Sequence, residues 1–320
     1  MSRTLVAVAF MVMALAQGQA NAQVARVEYH PFNSITLSDA EFLTGKEGRP
    51  VTLAGELRIP RAGQEKLAAV ILLPGGGGMG GAGGMIDEWS RELTKIGIAT
   101  FAIDSFSGRG LVSAFGGKLG RLAMVFDSYR ALELLARHPQ IDSGRVAVMG
   151  FSLGGIAALR ASVTRFQKMH GPQSLQFAAH VAFYPGCDTT FRAGDDVGDK
   201  PIRILHGTAD DSFPIGPCRE YAERLAKAGR DIRLIEYPGA HHVFDAPVYR
   251  EQRVLSAPTV GYCQLVEGDE GQILNRATEQ PFRFGDACVR KGFTLAYDEA
   301  ASAQARAFIG EFLSATLAVK

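Results

Sequence analysis

Gly150-Phe151-Ser152-Leu153-Gly154 sets a serine between glycines two positions away on either side. An apolar strand-like run, 145–149, leads into it, and a helix-like run, 155–160, leads out. This context predicts a turn so tight that both flanking positions must be nearly free of side chain. Such a turn lifts the hydroxyl above the end of a sheet, and the helix N-terminus behind it favours developing negative charge. A serine hydroxyl is a weak nucleophile until a base takes its proton and a third group holds that base. Two later segments offer those groups. One is His206-Gly207-Thr208-Ala209-Asp210-Asp211, after the apolar run 202–205, and the other is Pro238-Gly239-Ala240-His241-His242, after the run 232–237. Asp210 follows Ser152 by 58 positions and His242 follows by a further 32, so serine, acid and histidine each sit on a turn after a strand. Adjacent side chains point apart, so only one of Asp210 and Asp211 can reach the histidine. Motif spacing favours Asp210 and leaves Asp211 as a helix cap or surface carboxylate. His242 is favoured as the base, with His241 lining the pocket or facing solvent. His206 reads as a structural hydrogen-bonding group, and His30, His138, His170 and His180 as packing residues.

Acyl transfer also needs donors for the oxyanion. The Leu153 N–H, directly after the serine, is one. The glycine run 75–78, through Gly75 and Gly76, is expected to supply the second. No G-K-[S/T] follows this run, which disfavours a phosphate loop. Arg109, in the loop 104–110, is a candidate to pair with a substrate carboxylate, with bonding to loop carbonyls as the alternative. Phe106, Phe151 and Phe213 are candidate pocket walls, with core packing as the alternative, and Phe151 is the one named as a substrate contact.

The elements that must position these residues alternate. Strands are predicted at 51–59, 67–73, 98–103, 145–149, 177–184, 202–205 and 232–237. The run 67–73 is continuously apolar, as in a strand buried on both faces of a parallel sheet. Helices are predicted at 85–96, 119–137, 155 onward, 217–228 and 298–317. In the second of these, Leu122, Val125, Phe126, Tyr129, Leu132 and Leu135 form a core-facing stripe. In the last, Ala301, Ala305, Phe308, Ile309 and Phe312 do the same. Alternation of this kind predicts an α/β fold, one mostly parallel doubly wound sheet flanked by helices. Residues 245–295 break the rhythm and read as an irregular excursion within a single domain, 23–320.

The chain has 320 residues, 47% hydrophobic and 21% charged, which is ordinary globular composition. Residues 1–22 have a basic start, a short apolar run and Ala20-Asn21-Ala22, and read as a signal peptide cleaved near Ala22-Gln23. A retained anchor is the alternative, although the apolar run is short for a membrane span. Export to the periplasm or medium is therefore expected. Without Arg3, basic and acidic side chains number 33 each, and no basic stripe points to nucleic acid. Proximity pairs Cys187 with Cys218 and Cys263 with Cys288. No cofactor is called for, and no metal is expected, since neither C-x-x-C nor a histidine pair at ligand spacing is present.

Between about Val51 and Leu317, the loop 74–78, the segment 150–155, Gly207-Thr208-Ala209-Asp210 and 237–244 together resemble the dienelactone hydrolase family of the α/β-hydrolases. The resemblance implies Ser152 as nucleophile, Asp210 as orienting acid, His242 as base and the Leu153 N–H in an oxyanion hole. The founding members of that family use a cysteine nucleophile with a glutamate near the glycine loop. Here a serine stands instead, and residues 74–84 contain no glutamate. The expectation is a serine hydrolase of a small-molecule carboxylic ester or lactone. A peptidase or acyltransferase on the same residues, or a non-catalytic binding protein, are the rivals.

Overall fold

The computed structural model describes residues 24–61 and 65–319; the leader expected over 1–22 lies outside them. The chain opens with β1 (Val24–Thr36), α1 (Asp39–Thr44) and β2 (Arg49–Pro60). The alternating part follows: β3 (Leu67–Leu73), α2 (Gly78–Lys95), β4 (Ala99–Asp104), α3 (Ala123–Ala136), β5 (Ile141–Phe151) and α4 (Leu153–Arg160). Next come α5 (Thr164–His170), β6 (His180–Phe183), the two-residue β7 (Thr189–Thr190), β8 (Ile202–Gly207), α6 (Gly216–Lys227) and β9 (Ile232–Tyr237). An eight-stranded sheet runs in the order β1-β2-β4-β3-β5-β6-β8-β9. From β4 onward neighbouring strands are parallel, while β1 and β2 pair antiparallel at one edge. The predicted mostly parallel α/β architecture is the one observed.

The period of β3 shows why the sheet is covered on both faces. Ala69, Ile71 and Leu73 join one buried cluster with α3 and α4, whereas Ala68, Val70 and Leu72 join another with α2 and the C-terminal helix. Each fully buried large aliphatic side chain contributes on the order of 2 kcal/mol. After β3 the chain steps to β4 on one side, then crosses to β5 on the other. The ends of β3 and β5 therefore flank the point where strand order reverses, the usual place for a binding crevice in an open sheet. Register puts Leu73 beside Gly150, Phe183 beside Leu205 and Gly207 beside Tyr237, so the loops after β3, β5, β6, β8 and β9 emerge together.

Residues 245–295 are more regular than the sequence suggests. They form β10 (Arg253–Thr259), β11 (Leu265–Glu267), β12 (Ile273–Asn275), β13 (Gln280–Pro281) and β14 (Arg290–Leu295). β10 and β14 pair as an antiparallel ribbon, and β13-β12-β11 extends through β7 as a small second sheet. β11, β12 and β13 span only two or three residues each, while β10 pairs with β14 and β11 with β7 across long stretches of chain, so no local alternation announces them. The last helix, α7 (Glu299–Thr316), is capped by Asp298, whose side chain accepts from Ala301 N–H.

The cysteines pair as proximity predicts, Cys187 with Cys218 and Cys263 with Cys288. The second pair closes a loop of 25 residues within the excursion. By loop-closure entropy such a link contributes about 3 kcal/mol. Reductant is expected to lower the thermal midpoint of the purified protein, and an unchanged midpoint would show the links to be dispensable.

Candidate active site

Ser152 directly follows β5 and takes φ 53°, ψ −114°. A non-glycine residue at positive φ costs about 1–3 kcal/mol, which the surroundings must offset. Its N–H donates to Phe183 O at 2.9 Å. The flanking glycines are sterically required. A Cβ on Gly150 would lie 2.0 Å from Gly154 O, and one on Gly154 would lie 2.2 Å from Leu73 O.

Ser152 Oγ lies 2.9 Å from His242 Nε2, and His242 Nδ1 lies 2.7 Å from Asp210 Oδ2. An ionised carboxylate only accepts, so Nδ1 carries the imidazole proton and the Nε2 lone pair faces the serine hydroxyl. Asp210 is itself held. Its Oδ1 accepts from the Ser212 and Phe213 N–H groups, both at 2.9 Å, and its Oδ2 lies 3.3 Å from His206 Nε2. Burial alone would raise the Asp210 pKa, but the charge and hydrogen bonds of His242 and His206 outweigh it and hold the carboxyl well below its ordinary range. The stability this supplies is present above the ordinary carboxylate pKa and is lost as pH falls through the folded-state value.

Asp211 points elsewhere: it accepts from Thr294 N–H at 2.7 Å and Thr294 Oγ1–H at 2.8 Å. It is neither a helix cap nor a surface group, but the tie that pins β14 beside the site. The His242 loop is tied to the same strand, because Leu295 bridges to His242 and Ala296 N–H donates to His242 O. His241 is half-buried. His206 Nε2 bonds Phe213 O at 2.8 Å, a structural contact as expected.

The sequence reading missed the underside of the site. Tyr184, at φ 37°, packs its ring 4.7 Å from the His242 imidazole. Its hydroxyl donates to buried Asp245 at 2.7 Å, and Trp89 Nε1–H donates to the other Asp245 oxygen at 2.7 Å. This bond set ties the loop after β9 to α2. The only hint in the sequence is Asp245 itself, three positions after His242. Burial pushes the Asp245 pKa up, against the hydrogen bonds from Trp89 and Tyr184 and the charge of Arg306.

Leu153 opens α4, where an N–H has no partner within the helix. Gly75 lies against Ser152: a Cβ built on it would be 3.4 Å from the serine Cβ. Gly76 meets the Phe115 ring, and its carbonyl accepts from Ala114 N–H at 2.8 Å. The loop after β3 therefore sits beside the hydroxyl.

One expectation needs correction. Arg109 does not reach the site. Its guanidinium is buried against Asp127, with bonds of 2.8 and 2.9 Å, and also donates to Ser105 O, Ile35 O and Thr36 Oγ1. A guanidinium with its donors spent in this way has nothing left for a substrate. Phe151 borders the cleft over Ser152 as expected, although its side chain is fully buried among Trp89, Phe183 and Tyr184. Phe106 is likewise buried, while Phe213 stays half-buried, 5.9 Å from the His242 ring. A cleft of about 490 Å³ opens over Ser152 and His242, with Met85, Tyr249, Leu255 and Phe293 among its walls.

His30 and His138, read as packing residues, converge instead on Glu28 at the far edge of the sheet, at 2.6 and 3.2 Å. Their donor atoms lie close enough to hold a metal ion. Arg26 Nε already lies 2.5 Å from the same carboxylate and supplies a cation there. This cluster is remote from Ser152.

Residues 111–263 match the model of the dienelactone hydrolase family; that span takes in Ser152, Asp210 and His242, and leaves Gly75 and Gly76 outside. A protein named "Putative carboxymethylenebutenolidase" from Methylorubrum extorquens is 23% identical over 228 residues, covering 62% of this chain and 76% of its own length. An uncharacterized peptidase of Bacillus subtilis, YuxL, is 26% identical over 149 residues, 38% of this chain but only 22% of its own length. Among solved structures, the dienelactone hydrolase-like promiscuous phosphotriesterase P91 from metagenomic libraries superposes with a TM-score of 0.57 at 17% identity, covering 91% of this chain and 98% of that one. At that identity the likeness speaks for the fold. The segment 111–263 thus matches the dienelactone hydrolase family, carried on a fold of the α/β-hydrolase kind.

Proposed function

We propose that the protein is a serine esterase that cleaves a small carboxylic ester or lactone through an acyl-enzyme. The observation that carries this reading is the unbroken path from Ser152 Oγ to His242 Nε2 at 2.9 Å and from His242 Nδ1 to Asp210 at 2.7 Å. In this reading Ser152 Oγ bonds to the substrate carbonyl carbon as its proton passes to His242 Nε2. The oxyanion is met by the Leu153 N–H and by N–H groups of the Gly75-Gly76 loop, a kind of contact worth about 3 kcal/mol per donor. The carbon–oxygen bond to the leaving group then breaks, and His242 gives it the proton. Water, deprotonated by His242, attacks the acyl-enzyme and frees the acid. Asp210 stays charged, fixes the imidazole tautomer and steadies the imidazolium.

A fluorophosphonate probe mapped by mass spectrometry tests the reading. Stoichiometric modification of Ser152 is expected; folded protein that remains unlabelled would overturn it. The two cysteine pairs also favour an oxidising compartment. With the leader composition they support export and cleavage near Ala22-Gln23, which N-terminal sequencing of the mature protein checks. No described helix is long and apolar enough to cross a membrane.

A further inference from the structure

Ser152 stands between two clefts of very different size. The larger, about 490 Å³, opens on the α2 side, where His242, Tyr184 and Val243 meet Met85, Leu255 and Leu295. The smaller, about 90 Å³, opens on the α4 side among Leu153, Ile156, Phe213, Val260 and Phe284. Gly76, Phe115 and Phe293 border both and form the partition beside the serine. The residues 253–295 contribute to each wall, so the excursion shapes both clefts.

The chemistry distinguishes the two clefts, given the serine esterase reading. In the tetrahedral adduct the reacting carbon bears Ser152 Oγ, the oxyanion, the leaving oxygen and the acyl carbon. The leaving oxygen must come within about 3 Å of His242 Nε2 to receive its proton. His242 borders the large cleft. The oxyanion faces the Leu153 N–H and the glycine loop. The acyl carbon is left with the direction in which no proton is exchanged, toward the small cleft.

We propose that the 90 Å³ cleft is the acyl pocket and the 490 Å³ cleft the alcohol pocket, so that the protein selects esters of short acids with bulky, apolar alcohols. A cavity of about 150 Å³ accommodates benzene, so the smaller cleft takes an aliphatic chain of a few carbons and excludes an aromatic acid. The larger falls within the range of about 300–1,000 Å³ that encloses a full-sized organic ligand. Arg121 borders the small cleft but is bonded to Asp188 at 3.0 Å, and the remaining walls are mostly apolar, so the acyl chain is itself apolar.

Two ester series read the assignment. With p-nitrophenol as the constant leaving group, kcat/KM is expected to peak at acetate to butyrate and then fall about tenfold for each methylene that overfills the pocket. With acetate constant, kcat/KM is expected to rise from methyl to naphthyl alcohols. Phe284 is 40% exposed, so Phe284→Ala is expected to fold; its thermal midpoint is the control. It is expected to move the optimum to longer acids. Leu255→Trp is expected to penalise naphthyl acetate about tenfold and leave the acyl profile unmoved. An optimum at octanoate, or variants that act on the opposite series, would overturn the assignment. Fluorophosphonate labelling is read alongside. Normal labelling with a reversed preference rejects only the cleft assignment, whereas absent labelling rejects the serine chemistry beneath it.

Discussion

Ser152→Ala is expected to lower kcat for ester hydrolysis by about 10⁴- to 10⁶-fold, the range seen when the nucleophile of such a relay is removed. The side chain lost is the one whose Oγ lies 2.9 Å from His242 Nε2, and alanine leaves the imidazole with nothing to deprotonate. His242→Ala is expected to fall to a similar level, and the double variant no further, because a relay fails as a unit. Residual turnover of about 10³ over water would remain from the oxyanion donors and substrate binding. Alanine at 152 relieves little of the backbone strain, since any side chain there still sits at φ 53°. The substitution therefore tests chemistry with the elbow intact. Initial rates with p-nitrophenyl acetate on purified variants decide the matter. A Ser152→Ala protein retaining more than a tenth of wild-type kcat would show that another group performs the attack.

Asp127→Ala is expected to destabilise the fold by about 3–5 kcal/mol, a large part of the total stability of an ordinary domain. The Arg109 and Asp127 side chains are 2% and 0% exposed. The pair is bidentate, and Ser34 Oγ–H donates to the same carboxylate at 2.5 Å. Arg109 also caps the Ile35 and Ser105 carbonyls, so the bond set joins the end of β1, the loop after β4 and the middle of α3. Removing the carboxylate strands a guanidinium without a counter-charge in the interior, which costs more than the pair itself contributes. Replacing both residues, Arg109→Met with Asp127→Leu, is expected to recover much of the loss. Urea denaturation midpoints measure both. An unchanged midpoint for Asp127→Ala would mean the interior tolerates the unpaired cation, and would reopen Arg109 to a role outside the core.

Arg109 illustrates where reading the chain ends. Its loop lies at the carboxyl end of a strand, the right side of the sheet for a substrate contact. Its partner, though, is on α3, and nothing in the spacing of an arginine and an aspartate 18 positions apart says that both are buried. His30 and His138 carry the same lesson. Glu28 and His30 lie two positions apart on β1, but His138 reaches Glu28 across 110 positions only because α3 packs against β1.

By itself the sequence determined the parallel core and the chain order of the candidate site. Those rest on short-range rules: apolar runs with a strand's length, glycine where a turn leaves no room for a Cβ, and one polar turn after each strand. Ser152, Asp210 and His242 were legible because each lies within a few residues of the strand that positions it. Motif spacing favoured Asp210 over Asp211, and tertiary structure supplied the physical reason. Asp210 rather than Asp211 approaches His242, because the Ser212 and Phe213 N–H groups hold one carboxylate while Thr294, 83 positions away, takes the other. Tertiary structure alone decided that Phe151 fills the core and that β10 and β14 wall the clefts. Such outcomes depend on pairings between residues far apart in the chain, and a pattern of nearest neighbours carries no record of them.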